Sequence, residues 1–294
     1  MADDAITEIR AGDRFAFGAN WTEFLRLVNQ DRIDGAVESM KAMLTVSDLV
    51  GQRFIDIGSG SGLFSLAARR LGAQVVSFDY DPASVACTAE LRRRYDPVAD
   101  GAKWQVLQGS LLDLPFLASL GQFHVVYSWG VLHHTGDMWT ALGNVTNVVR
   151  PGGRLFISIY NDQGAQSKLW TGIKRRYNSS GALERWTILE FANLYFQTRS
   201  LVASAYRALR GHPARRAPRG RGMDRRHDLV DWVGGYPFEV AKPEEIFDFC
   251  RSRGFVLQRL KTCGGGLGCN EFVFRRESPL LTEPTADTSG GVAD

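Results

Sequence analysis

The sequence predicts an α/β fold: a doubly wound, mostly parallel seven-stranded sheet with helices on both faces. Three observations carry this. Between Arg53 and Tyr160, short apolar runs alternate with helix-length stretches, the rhythm of strands joined by crossover helices. The first run ends in Gly58-Ser59-Gly60-Ser61-Gly62, with glycine at every second position directly ahead of a helical stretch. The later runs also end in polar or glycine-bearing loops, and in such a fold these gather at the carboxyl ends of the strands, where ligands bind.

Residues 1–50 form a helical cap. Trp21, Phe24, Leu25 and Val28 share a helical face over Trp21–Asn29, and Val37–Leu44 repeats the pattern. The core spans 51–160: a strand before Gly58, a helix over Gly62–Arg70, a second strand closing on Asp79, and a helix over Ala83–Tyr95. Trp104–Gln108 reads as the third strand, and the fourth starts at Phe123. A helix over Met138–Val149 then leads through Pro151-Gly152-Gly153 into a fifth strand, Arg154–Tyr160. Residues 161–235 are a helical insertion after the fifth strand, with helices over Gln166–Tyr177 and Leu183–Leu209. Asp231–Glu239 reads as a turn-rich segment. Residues 236–276 add a helix from Pro243 and two strands, Phe255–Lys261 and Asn270–Phe274, as an antiparallel pair at the sheet edge. The tail, 277–294, is poor in apolar residues and expected to be disordered.

The glycine loop lets a ligand lie against bare backbone, because glycine has no Cβ and tolerates positive φ. A dinucleotide site requires G-x-G-x-x-G, and the residue at its third glycine is Leu63, which argues against a dehydrogenase. The pattern here is Asp56-x-Gly58-x-Gly60-x-Gly62, and it resembles the first motif of class I S-adenosylmethionine (SAM) methyltransferases. Four further stretches share the resemblance: Asp79-Tyr80 at the end of the second strand, Gly109-Ser110-Leu111-Leu112-Asp113-Leu114-Pro115-Phe116 after the third, Val131-Leu132-His133-His134 after the fourth, and the Pro-Gly-Gly turn before the fifth. Within that family the chain resembles the broad group of small-molecule enzymes that includes the ubiquinone-type methylases, and the likeness covers the core only.

The resemblance implies SAM as cofactor, held by Asp56, Gly58, Ser59, Gly60, Gly62, Asp79, Tyr80, Ser110, Leu111 and Ser128. A carboxylate at Asp79 can accept hydrogen bonds from both ribose hydroxyls. Asp81 instead caps the helix that Pro82 opens. Ser110 stands where the family often has Asp, and is either an adenine contact or a plain loop residue. The expected reaction is methyl transfer to a small molecule, at oxygen rather than nitrogen or carbon. A hydroxyl acceptor has to lose a proton, and histidine is the usual base. His133, His134 and His227 are the candidates, with a structural role open to each. Tyr160, Asn161, Tyr236 and Glu239 are candidate substrate contacts, and the insertion is expected to lie over the acceptor, its aromatic residues forming either its own core or a substrate cage.

Bulk properties set bounds on this. The net charge of +3 hides nine arginines and one acid between Arg199 and Arg226. Such a run can hold nucleic acid, as an RNA or protein methyltransferase would require, yet Gly211–Arg226 has no aromatic residue for base stacking and the Pro/Gly content of a solvated loop. A non-catalytic SAM-binding protein is the third reading. The four cysteines show no C-x-x-C pair, so no metal is expected. Apolar runs are short and the N-terminal residues are acidic, which leads to the expectation of a cytoplasmic protein with no membrane span. Oligomeric state is not legible.

Overall fold

Everything after Arg53 in strand β1 (Arg53–Ile57) is buried, as befits an interior strand covered on both faces. The computed structural model describes residues 2–97, 103–211 and 225–278. In chain order the helices are α1 (Ala2–Ala11), α2 (Phe17–Phe24), α3 (Gln30–Leu44), α4 (Leu63–Arg70), α5 (Pro82–Tyr95), α6 (Leu114–Ser119), α7 (Met138–Asn147), α8 (Ala165–Ser179), α9 (Ala182–Leu209), α10 (Arg225–Gly234) and α11 (Pro243–Arg251). The strands after β1 are β2 (Gln74–Asp79), β3 (Trp104–Gln108), β4 (Phe123–Trp129), β5 (Val149–Tyr160), β6 (Phe255–Lys261) and β7 (Cys269–Arg276).

The sheet runs β3-β2-β1-β4-β5-β7-β6. Strands β1 to β5 are parallel, and β7 runs antiparallel to both β5 and β6. The chain winds outward one way from β1 and the other way from β4, so the crevice at their carboxyl ends is the switch point. Alternation along the strands feeds two cores. Phe54, Val125, Tyr127 and Phe156 face α3, α4 and α5, while Ile55, Ile57, Val126 and Ile157 pack in the core that holds α7 and α11.

Local boundaries depart from the periodicity for identifiable reasons. The helix expected over Trp21–Asn29 instead covers Phe17–Phe24, because the Asn29 side chain accepts from the amide of Arg32 (3.1 Å) and starts α3. Strand β5 begins at Val149, five residues ahead of Arg154: the Pro-Gly-Gly stretch is absorbed into the strand where its register against β4 shifts. Asp231–Gly234 is not a turn but the last part of α10. The tail from 279 on, and 212–224 of the basic run, lie outside the described residues.

A third apolar cluster forms the insertion's own core. Trp170 of α8 is 2% exposed, packs edge-on to Trp232 at 4.5 Å and stacks on Phe196 of α9 at 5.7 Å. Lys174 is buried beside it, donates to the carbonyl of Trp232, and lies over the rings of Trp232 and Phe238. Burial pushes its pKa down to about 7. Truncating a buried Trp typically costs about 3–5 kcal/mol, so Trp170→Ala is expected to lower the urea midpoint sharply. A loss under about 0.5 kcal/mol, within what surface changes produce, would show that the insertion is anchored elsewhere. Helix α9 buries only Ala192, and Leu183, Trp186, Phe191 and Leu194 are exposed along it. Among the described residues no helix is long and apolar enough to cross a membrane.

Candidate active site

The loop after β1 is pinned by the end of β2. The amides of Gly58 and Ser59 both donate to the carbonyl of Phe78 (2.9 and 3.1 Å), and the amide of Gly60 donates to Asp79 Oδ2 at 2.9 Å. Gly58 and Gly60 hold φ of +72° and +54°. A Cβ on Gly58 would lie 2.4 Å from Val131 of the loop after β4, and one on Gly60 would lie 2.8 Å from the indole of Trp21. Both positions therefore need glycine, for conformation and for space. From the other side Thr88 of α5 supports the loop, bonding Ser59 Oγ at 2.9 Å and donating to the carbonyl of Gly60 at 3.1 Å.

Beneath the loop lies a buried relay. The indole of Trp104 donates to Ser77 Oγ (2.8 Å), Ser77 donates to Ser65 Oγ (2.7 Å), and Ser65 donates to Asp56 Oδ2 (2.5 Å). Asp79 closes the far side of the loop, with Oδ1 accepting from the amide of Asp81 at 3.0 Å. Burial raises its pKa to about 6 despite the amides of Gly60 and Asp81, which favour the ionised form. Each carboxylate oxygen keeps a second acceptor position.

Asp81 has another task. Its Oδ1 accepts from Ala83 at the start of α5 (2.9 Å), and its Oδ2 accepts from the amide of Gly18 in α2 (2.7 Å). Helix α2 is thereby fixed to α5, with Trp21 over Gly60 and Asn20 reaching Asp231 of α10 (Nδ2 to Oδ1, 2.7 Å). At the mouth, Tyr80 donates to Glu8 (3.2 Å) under the Arg14 guanidinium.

The glycine loop borders a cavity of about 720 Å³, which runs from Gly58, Gly60, Asp79, Ser110 and Leu111 to Tyr127, Trp129, Tyr160, Asp231 and Trp232. Its volume falls within the usual range for a small-molecule site. His134 is on the wall. Its Nδ1–H donates to the carbonyl of Pro237 (2.6 Å), which makes Nε2 the acceptor. Burial and the nearby charges of Lys174 and Arg14 outweigh that bond and lower its pKa to about 3, so the ring is neutral near pH 7.

The expected site residues divide accordingly. Asp56, Gly58, Ser59, Gly60, Asp79, Tyr80, Ser110 and Leu111 line the cavity, as do His134 and Tyr160. Gly62 does not: it caps α4, its amide bonded to the carbonyl of Ser59. Ser128 is buried and donates to the carbonyl of Ile57. His133 is fully buried off the cavity, its Nδ1 accepting from the amide of Tyr160 at 3.3 Å, because side chains of adjacent residues diverge. Asn161 bonds Gly266 and Asn270, and Tyr236 packs into the insertion's core. Glu239 accepts from the amides of Gly136 and Met138 at the entry to α7, so it caps a loop rather than meeting a ligand. His227 lies in the first turn of α10, and its side chain is outside the described residues. Missed by sequence reasoning were Asp231, Trp129 and Trp232 at the aromatic end of the cavity, and Phe15 and Phe17 on the cap. Among the described residues no cluster of three or more metal-ligating side chains forms.

Residues 55–157 match the family model described as a methyltransferase domain. The ubiquinone biosynthesis O-methyltransferase of Xanthomonas euvesicatoria pv. vesicatoria is 32% identical over 114 residues, covering 39% of this chain and 45% of that relative. The mitochondrial enzyme of the same description from Schizosaccharomyces pombe is 30% identical over 137 residues, 47% of each chain. The alignments thus span less than half the length of the curated relatives they match. Among solved structures, an O-methyltransferase family protein from Burkholderia thailandensis superposes with TM-score 0.52 at 17% identity, over 90% of this chain and 60% of that one. The 4+2 cyclase SpnF gives 0.51 at 12% identity, over 83% and 80%. These two share the fold, which by itself does not fix a reaction.

Proposed function

From the premise that its core is a class I SAM-dependent methyltransferase domain, we propose that this protein transfers a methyl group from SAM to a hydroxyl oxygen of a small-molecule acceptor. The observation that carries this reading is the continuous cavity joining the glycine loop to an aromatic-walled compartment. The cofactor end fits SAM: bare glycine backbone at Gly58 and Gly60 on the cavity wall, and a carboxylate with spare acceptor capacity at Asp79. SAM supplies a methyl group on a sulfonium, already an excellent leaving group. What the chain must supply is alignment and exclusion of water. Trp21 covers the glycine loop, while Tyr127, Trp129, Tyr160 and Trp232 wall the acceptor end. A planar or largely apolar small molecule suits such walls. The cytoplasmic setting belongs to the same proposal.

The test is purified protein with methyl-labelled SAM and a fractionated extract of its host, run beside Gly60→Arg. That side chain has to enter at φ +54° against Trp21, so the variant should lose labelling. Label that reaches the small-molecule fraction only with the unaltered protein, on a base-stable ether linkage, is the expected result. Label in RNA or protein would overturn the acceptor class, and in RNA it would draw attention to Arg199–Arg226.

A further inference from the structure

We propose that Asp231 is the proton acceptor of this transfer, its second carboxylate oxygen taking the hydrogen of the acceptor hydroxyl as the methyl group arrives. The inference rests on the O-methylation reading above and adds a catalytic residue to it. Position comes first. Asp231 lines the cavity, and its Oδ1 is held by Asn20 Nδ2 at 2.7 Å, while Oδ2 takes no hydrogen bond from the described residues. Its anchor, Asn20, precedes Trp21, whose indole covers Gly60 of the glycine loop. Consecutive Cα atoms are about 3.8 Å apart, so α2 brings the carboxylate's holder to the edge of the cofactor loop.

Elimination points the same way. On the cofactor side, Asp79 is engaged by Gly60 and Asp81, and Asp56 by Ser65. Asp81 bridges two helices, and Glu8 is bonded to Arg14 and Tyr80. Towards the acceptor, Glu271 is paired with Lys261 at 2.9 Å, and Asp228 is exposed at the rim. His134 has Nδ1 committed to Pro237 and stays neutral down to about pH 3, too weak a base for this task. Among the described residues, Asp231 is left as the cavity carboxylate bound through one oxygen to a neutral amide, its other oxygen taking no hydrogen bond and no ion pair.

Its electrostatics fit the task. Burial raises its pKa to about 7, against the hydrogen bond from Asn20 and the charge of Lys174, with Asp228 adding to the rise. A base with a pKa near the working pH is the effective kind. Tyr160, whose hydroxyl burial holds well above its ordinary value, is neutral across this range. The step balances: the acceptor O–H bond breaks and its proton goes to Asp231 Oδ2. The electron pair left on oxygen forms the new C–O bond, and the C–S bond breaks with its pair on sulfur, leaving S-adenosylhomocysteine. The carboxylic acid then returns its proton to water.

The sign of the pH effect follows from the form required. Ionised Asp231 is the active form, so the wild-type rate should rise as pH passes through about 7 and level off above it. Asp231→Asn keeps an oxygen for Asn20 and should fold with unchanged SAM binding. Its kcat is expected to fall about 10²-fold or more, the usual contribution of a positioned base, and the limb near pH 7 should vanish from the residual rate. Asp231→Glu, which restores a carboxylate, should recover part of the rate together with the limb. An active wild type with Asp231→Asn within threefold of it, or with a raised KM and unchanged kcat, would overturn the assignment and leave O-methylation standing. A wild type that binds SAM yet methylates no small-molecule fraction would remove both.

Discussion

Replacing Gly58 by valine is expected to abolish SAM binding. The position combines φ of +72° with a neighbour already in contact: a Cβ would lie 2.4 and 2.5 Å from the two Cγ atoms of Val131. A β-branched residue in the left-handed region is a conformational outlier, and overpacking at such distances typically costs about 1–3 kcal/mol. The loop would relieve this by moving away from Val131, and so away from the amide contacts to Phe78 that hold its shape. Calorimetric titration with SAM should show no heat of binding at ligand concentrations that saturate the wild type, while the far-ultraviolet circular dichroism keeps the α/β signature. Affinity within tenfold of wild type would mean that the ligand does not lie on this loop.

Asp79→Ala is the second large effect. Hydrogen bonds to a charged group contribute about 1.5–3 kcal/mol each, and Asp79 can offer two to a diol while it also holds the amide of Gly60. With each 1.4 kcal/mol worth tenfold, a loss of about 10²-fold or more in affinity is expected. The pH dependence carries a sign of its own. In the ligand-free protein burial raises the Asp79 pKa from 3.8 to about 6, whereas donating hydroxyls favour the ionised form. SAM affinity should therefore be flat above about pH 6 and weaken below it, approaching tenfold per unit. Asp79→Asn, which cannot titrate, should remove that slope. A wild-type affinity unchanged between pH 7 and pH 5 would argue that another group holds the ribose.

Much of the cofactor half was legible because it depends on local chemistry. Glycine at 58 and 60 is dictated by positive φ and near neighbours, and Asp79 ends a strand whose apolar run defines it. The acceptor half depends on long-range pairing. Asn20 and Asp231 are 211 positions apart, and nothing in α10, with its mixed polar face, marks one carboxylate as buried. Glu239 shows the reverse error. A glutamate at an aromatic-rich turn read as a substrate contact, but two backbone amides about one hundred positions earlier claim its oxygens. His133 and His134 were indistinguishable in sequence because register alone turns one into the core and the other to the cavity. The insertion's aromatic residues, read as core or cage, divide between the two: Trp170 is buried among α8, α9 and α10, and Trp232 reaches both that cluster and the cavity wall.

The relay from Trp104 to Asp56 has a direction. An indole N–H can only donate, so the line starts at Trp104 and runs through Ser77 and Ser65 to end on an oxygen of Asp56. Every hydroxyl along the line is oriented from its donor end, as a row of compass needles is by a pole. Asp56, at the edge of the glycine loop, thus receives a dipole already aimed at it from the outermost strand of that half of the sheet. The floor of the cofactor cleft is polarised before any ligand enters, and a phenylalanine at 104 would leave the two hydroxyls to choose their own sense.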